Sequence, residues 1–286
     1  MLDFGEFQLT RKDGDHTVKL NVSRAPGESG VSVARFKFDD AAHFSARSRR
    51  HLVFFQLSPR LRLECNIAGR SLRHEPLTGS LAICPAGADC SATSDAATDM
   101  LVLGVDPNQF SLAAAEDSAI EAQLVERLSG YDRNLESAAQ TLASQSAQNY
   151  PDGPLAWNET AYSFINGLVS HHTTTPPRPP RGRLGGQTLQ KIRDYIHAHL
   201  DQPIEVTDLA DLAGRSAFHF TRVFARSVGM TPYRYVVHLR LQAALRRVRE
   251  GRMSLAEIAA DTGFADQSHL SRWIRRVHGV APSELA

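Results

Sequence analysis

Over the first hundred residues, apolar side chains return at every second position in short runs. The runs fall at 18–22, 31–36, 51–57, 61–65, 79–85 and 100–105, with turns between them. A period of two in brief segments marks half-buried strands, and a series of them predicts a β-sandwich or small barrel. From residue 107 the period lengthens. Ile120, Leu124 and Leu128, then Leu135, Ala139 and Leu142, then Trp157, Ala161, Phe164 and Leu168 recur at helical spacing. Gly130 and the turn at 150–154 divide these helices, which either cap the β core or form a dimerisation surface. Residues 173–186 are rich in Pro, Arg and Gly, bury nothing, and read as a linker. Beyond it the pattern is helical to the end. The order predicts an α+β chain in four parts: β-rich 1–106, helical 107–172, linker 173–186 and all-α 187–286.

The last eighty residues contain one pattern twice. Leu209, Ala210 and Gly214 are matched 49 residues later by Ile258, Ala259 and Gly263. Phe220, Arg222, Phe224, Gly229 and Pro232 are matched 50 residues later by Leu270, Arg272, Ile274, Gly279 and Pro282. The second copy therefore carries one extra residue after its turn glycine. Each copy reads as helix, glycine turn, helix, glycine stop and proline restart, which is a helix–turn–helix. Thr207 and Ser216 are expected as caps in the first copy, and Ser254 with Glu257 as a capping box in the second, where Asp266 lies at the start of the second helix. A connecting helix of some 18 residues from Pro232 would span about 27 Å at 1.5 Å per residue. That approaches the roughly 34 Å of one DNA turn, so the two second helices are placed for successive major grooves.

Which residues would face DNA follows from the apolar stripes. Phe220, Val223 and Phe224 must pack inward on the first recognition helix, as must Leu270, Trp273 and Ile274 on the second. The outward set is then Ala217, Phe218, Thr221, Arg222 and Arg226, with Gln267, Ser268, His269, Ser271, Arg272 and Arg275 in the second copy. Arg binds guanine bidentately, Gln suits adenine, and an aromatic such as Phe218 can meet a thymine methyl. Backbone amides at the helix starts, with Ser216 and Ser268, suit phosphate. Each arginine can also be read as a solvated helix face, Phe218 as a core aromatic and His269 as a surface histidine. Arg222 and Arg272 stand apart because they occupy equivalent positions in the repeat.

Charge sharpens the division. Residues 1–172 carry 15 Lys+Arg against 21 Asp+Glu, whereas residues 173–286 carry 17 against 10. A basic end joined to an acidic one suits a polyanion partner bound through one end. The 42% apolar content argues against wholesale disorder, and no run approaches the roughly 18 apolar residues of a membrane span. The first residues lack a secretory pattern and the cysteines number three, so a reducing cytoplasm is expected. Cys65, Cys84, Cys90 and the scattered His43, His51 and His74 do not fall at metal-ligand spacings, and neither a metal nor a cofactor is expected. No phosphate loop, nucleophile elbow or dinucleotide fingerprint appears. A β-barrel enzyme fused to a DNA-binding domain is the alternative to a regulator, and no nucleophile–base arrangement supports it.

The segment from about Gln187 onward resembles the DNA-binding domain of AraC/XylS-type transcription regulators. The resemblance rests on Ile258, Ala259, Gly263, Phe264, Gln267, Ser268, Leu270, Ser271 and Arg272, on Gly279, Val280 and Pro282, and on the matching first copy. It implies a seven-helix domain with two recognition helices, commonly with recruitment of RNA polymerase, and hence an activator. It also implies Phe218, Thr221, Arg222, Gln267, Ser268, His269 and Arg272 as base-reading positions. The chain departs from the pattern at Ala265, where a helix-capping Ser is frequent, at Ile274, where an aromatic is usual, and at Leu285, where Tyr is common. Many members carry a cupin-like barrel that binds a small effector, followed by dimerising helices, and the strand-then-helix order here is similar to that.

Overall fold

The computed structural model describes residues 6–11, 14–16, 26, 29–58, 61–116, 122–174, 182–278 and 280–282. The expected strand at 18–22, Ile120, Leu285 and residues 175–181 of the linker lie outside them. The chain forms two compact units, one of Met1–Tyr150 with Thr160–Pro179, the other of Pro151–Glu159 with Pro180–Ala286. Sequence boundaries alone did not separate Pro151–Glu159 from the helical segment around it.

In the first unit, strands β1 (Glu6–Arg11), β2 (Gly14–His16), β4 (Ala42–Arg47), β6 (Leu63–Ile67), β7 (Arg70–His74) and β9 (Asp89–Ser94) make a sheet in the order β2-β1-β4-β9-β6-β7. Strands β3 (Val31–Phe38), β5 (His51–Gln56), β8 (Leu81–Cys84) and β10 (Thr98–Val105) make a second in the order β3-β10-β5-β8. All pairings are antiparallel. Alternate residues of both sheets share one core, with Phe36, Phe44, Phe54, Leu63, Ala92 and Val102 among them. Of the two forms expected, barrel or sandwich, this is the sandwich.

Every residue of β5 is buried, so this strand is covered on both faces. Its outer face meets helical residues, Phe55 lying 6.3 Å from Phe164 between ring centroids. Three helices follow the strands: α1 (Pro107–Glu116), α2 (Arg133–Ala147) and α3 (Gly153–His171). Asp132 caps α2, accepting from the amides of Asn134 and Leu135. Leu135, Ala139 and Leu142 are buried as their spacing predicted. The helix expected through Leu124 and Leu128 does not form in residues 122–128. Arg127 instead exchanges backbone hydrogen bonds with Ile83 at 2.8 and 3.0 Å, and Leu124 bridges Thr173. The open edge of β8 offers Arg127 ready backbone partners, Thr173 does the same for Leu124, and these pairings outweigh the local helical spacing.

The second unit contains six whole helices among the described residues, one fewer than the resemblance implies. They are α4 (Gly186–Ala198), α5 (Val206–Leu212), α6 (Ala217–Val228), α7 (Pro232–Glu250), α8 (Leu255–Asp261) and α9 (Gln267–His278). Pro232 takes the first position of α7, where its missing amide costs nothing. Ser254 and Glu257 form the expected capping box of α8. Thr207 is not the cap of α5. Glu205 is, two residues earlier, because Asp208 reaches back to its amide at 2.8 Å and closes a reciprocal box. No described helix is long and apolar enough to cross a membrane.

Candidate nucleic-acid interface

Two helix pairs present the interface, α5–α6 and α8–α9. On α6 the residues Phe220, Val223 and Phe224 are buried, with Phe220 and Phe224 rings 5.3 Å apart. On α9, Leu270 and Ile274 are fully buried and pack against Val237, Leu241 and Ala244 of α7. Trp273 is only half-buried. Its ring meets Tyr233 edge-on at 6.3 Å and carries the Arg276 guanidinium 5.2 Å from its centroid.

The helix starts are well held. Ser216 accepts from the His219 amide, as expected. In the second copy Ala265 occupies a position where a capping Ser is frequent, but Asp266 supplies the cap, accepting from the His269 amide at 2.7 Å. Arg240 of α7 fixes the α8–α9 turn, donating to the carbonyls of Gly263 at 2.8 Å and Gln202 at 2.7 Å. Burial holds its guanidinium below the usual arginine range. Nothing in the sequence pattern set this arginine apart from those at the surface.

Nine of the twelve expected DNA-facing residues reach the surface at least in part. Ser216, Arg226, Gln267, Ser268, Arg272 and Arg275 are exposed, and Ala217, Arg222 and Ser271 are partly so. Three are turned inward. Phe218 is 3% exposed and belongs to the core, although its place one turn before Arg222 sets it away from the Phe220–Phe224 stripe; its buried neighbour around the helix is Thr221. Thr221 is 8% exposed and spends its hydroxyl on the Ala217 carbonyl, 2.8 Å away. His269 is also 8% exposed; its Nδ1 accepts from the Ala265 amide at 3.4 Å and its Nε2 lies 3.0 Å from Asp152 Oδ1.

The outward stripe of the first copy also includes residues the sequence reading passed over. Arg215, His219, Arg222 and Arg226 follow one another at helical spacing, and Arg215 Nη1 lies 2.7 Å from His219 Nε2. The signal was there in the 3.6-residue period, which sets 215, 219, 222 and 226 within one stripe about 60° wide.

A family model described as a helix-turn-helix domain matches residues 209–286. These residues are an AraC-type helix-turn-helix domain. The HTH-type transcriptional regulator GbdR of Pseudomonas aeruginosa is 26% identical over 247 residues, covering 83% of this chain and 61% of GbdR. An AraC-like transcription regulator of Streptomyces lividans is 38% identical over 116 residues, 40% of this chain and 38% of that protein. Among solved structures, a transcriptional regulator with an AraC-type DNA-binding domain from Chromobacterium violaceum is 25% identical, with a TM-score of 0.33, covering 35% of this chain and 88% of its own. The chain thus spans less than two thirds of the curated relatives it matches. Within the AraC-type domain, the match begins at Leu209, the first buried apolar residue shared by the two copies.

Proposed function

We propose that the chain is a sequence-specific DNA-binding regulator of transcription that contacts two successive major grooves. One observation carries the reading: α6 and α9, equivalent helices of a tandem repeat, each present an arginine at the same position, Arg222 and Arg272. Connecting helix α7 has 19 residues and spans about 28 Å, close to one turn of DNA. Arg222, Arg226, Gln267, Ser268, Ser271, Arg272 and Arg275 read bases or hold phosphates, and Arg215 and His219 join them. Ser216 and Ala217 lie where the first helix start meets the backbone. Selection of bound duplexes from a random pool tests the reading. A recovered motif with two unlike half-sites about one turn apart supports it; recovery of unrelated sequences refutes it.

The N-terminal unit is read as an effector-sensing and pairing domain, with no catalytic step. The apolar cavity inside the sandwich, bordered by Phe44, Phe54, Cys65 and Met100, has a volume of about 40 Å³. That is room for a few waters, so a small-molecule effector there requires the sheets to part. Residues 107–172 are the expected homodimer surface, and α2 offers a polar outer face for it, with Asn134, Ser137, Gln140, Thr141 and Ser144 exposed. Sedimentation at micromolar concentration gives a dimer on this reading and a monomer against it. Activation through RNA polymerase in the cytoplasm completes the proposal, and a reporter gene fused to the selected motif tests it.

A further inference from the structure

His269 stands in α9 where His219 stands in α6, yet it is turned away from the surface. What holds it is Asp152, in the Pro151–Glu159 segment that belongs to the second unit. Asp152 Oδ1 lies 3.0 Å from His269 Nε2, and with Nδ1 accepting from Ala265 the ring proton faces the carboxylate. The Trp273 indole nitrogen lies 3.0 Å from the same Nε2 on the next turn of α9, but an Nε2 that donates to Asp152 cannot also accept the indole N–H, so Trp273 packs beside the pair. A second carboxylate anchors the segment: Glu159 Oε2 accepts the Tyr233 amide at 2.6 Å, near the start of α7.

The Asp152 carboxyl is held below the usual carboxylate range, first by the bond to His269, then against its burial by the Tyr233 hydroxyl and, least of these, by the charge of Arg272. The side chain remains 31% exposed, so its negative charge reaches solvent beside the arginine that the DNA-binding reading assigns to a base. The pair borders a cavity of about 280 Å³ lined by Pro154, Ile204, Val236, Arg240 and Phe264. That space lets Asp152 swing off His269 without repacking the core.

Resting on the DNA-binding reading, we infer that Asp152 is an intramolecular brake that competes with DNA for the second recognition helix. Its carboxylate occupies the field of Arg272 and keeps His269 folded in, so a duplex must displace it or carry it close to phosphate. Helix α3 runs from Gly153 to His171, and its residues 160–171 belong to the first unit. The brake therefore sits on the covalent path between the units, where a shift of α3 would release it.

The test compares the full chain with its Asp152→Asn and Asp152→Glu variants on the duplex recovered by selection. Removing the charge is expected to tighten binding roughly 3- to 10-fold, an advantage that shrinks as salt rises from about 0.05 to 0.3 M. Asp152→Glu, which keeps the charge, stays near the wild-type affinity. Asp152→Asn binding no tighter, or a variant that melts earlier and binds more weakly, makes Asp152 a structural brace and overturns the brake. A salt-independent gain, or an equal gain in Asp152→Glu, overturns it too. If the wild-type chain selects no sequence at all, the DNA-binding reading falls and the brake with it; if it selects one and Asp152→Asn gains nothing, only the brake falls.

Discussion

The two helix–turn–helix copies bury the same kind of core from different positions. In the first, an aromatic beside the turn comes from the recognition helix itself, Phe218, 3% exposed. In the second it comes from the turn, Phe264, 5% exposed, in the longer run between glycine and helix. The residue equivalent to Phe218 is then Ser268, which is exposed. With one residue inserted before it, the second recognition helix thus has an exposed serine where the first has a buried aromatic. The second copy accordingly presents Gln267, Ser268, Ser271, Arg272 and Arg275, whereas the first presents mainly Arg215, His219, Arg222 and Arg226. On the proposed DNA-binding reading, the second helix offers more side chains for bases, and the first fewer.

The turns differ as well. Gly214 has φ +59° and open space where a side chain would begin, so only its backbone conformation calls for glycine. Gly263 has φ +73°, and an added Cβ would sit 2.0 Å from the Leu200 carbonyl oxygen and 2.6 Å from Arg240 Cζ. Backbone cannot yield as a flexible side chain does. Gly263→Ala is therefore expected to cost about 3 kcal/mol or more in unfolding of the C-terminal unit, against about 1 kcal/mol for Gly214→Ala. Equal losses in denaturant titrations would break the contrast. Leu270→Ala, at a fully buried position of α9, should cost about 2–5 kcal/mol by the same measurement. The caps give the smallest effect. Ser254→Ala removes a capping box and should cost about 1 kcal/mol, while Ser216→Ala, whose bond to the His219 amide is 3.4 Å long, should cost less.

Much of this was legible in the chain, and the exceptions have physical causes. The repeat, its glycine turns, Pro232 and the cores around Phe224 and Leu270 followed from periodicity and cap chemistry. Strands β4 and β9 escaped notice because their inward residues include Ala42, Ala46, Cys90, Ala92 and Ser94, too small to stand out as an apolar run. The helical spacing through Leu124 misleads because its segment finds partners far along the chain, Thr173 for Leu124 and Ile83 on a sheet edge for Arg127. His269 was placed outward because Asp152 is more than a hundred residues away, beyond any local pattern. Phe218 had no such signal, since a helix that buries 220, 223 and 224 carries 218 to the opposite face, and its burial beside Thr221 comes from the tertiary fold.

The central claim is that Arg222 and Arg272 read bases from equivalent places in the two copies. Binding of Arg222→Ala and Arg272→Ala to the selected duplex and to random DNA tests it most directly. Each variant should lose about 1–3 kcal/mol on the selected site and far less on random DNA, the loss being larger for Arg272. Equal losses on both duplexes would make these side chains phosphate contacts and contradict the account.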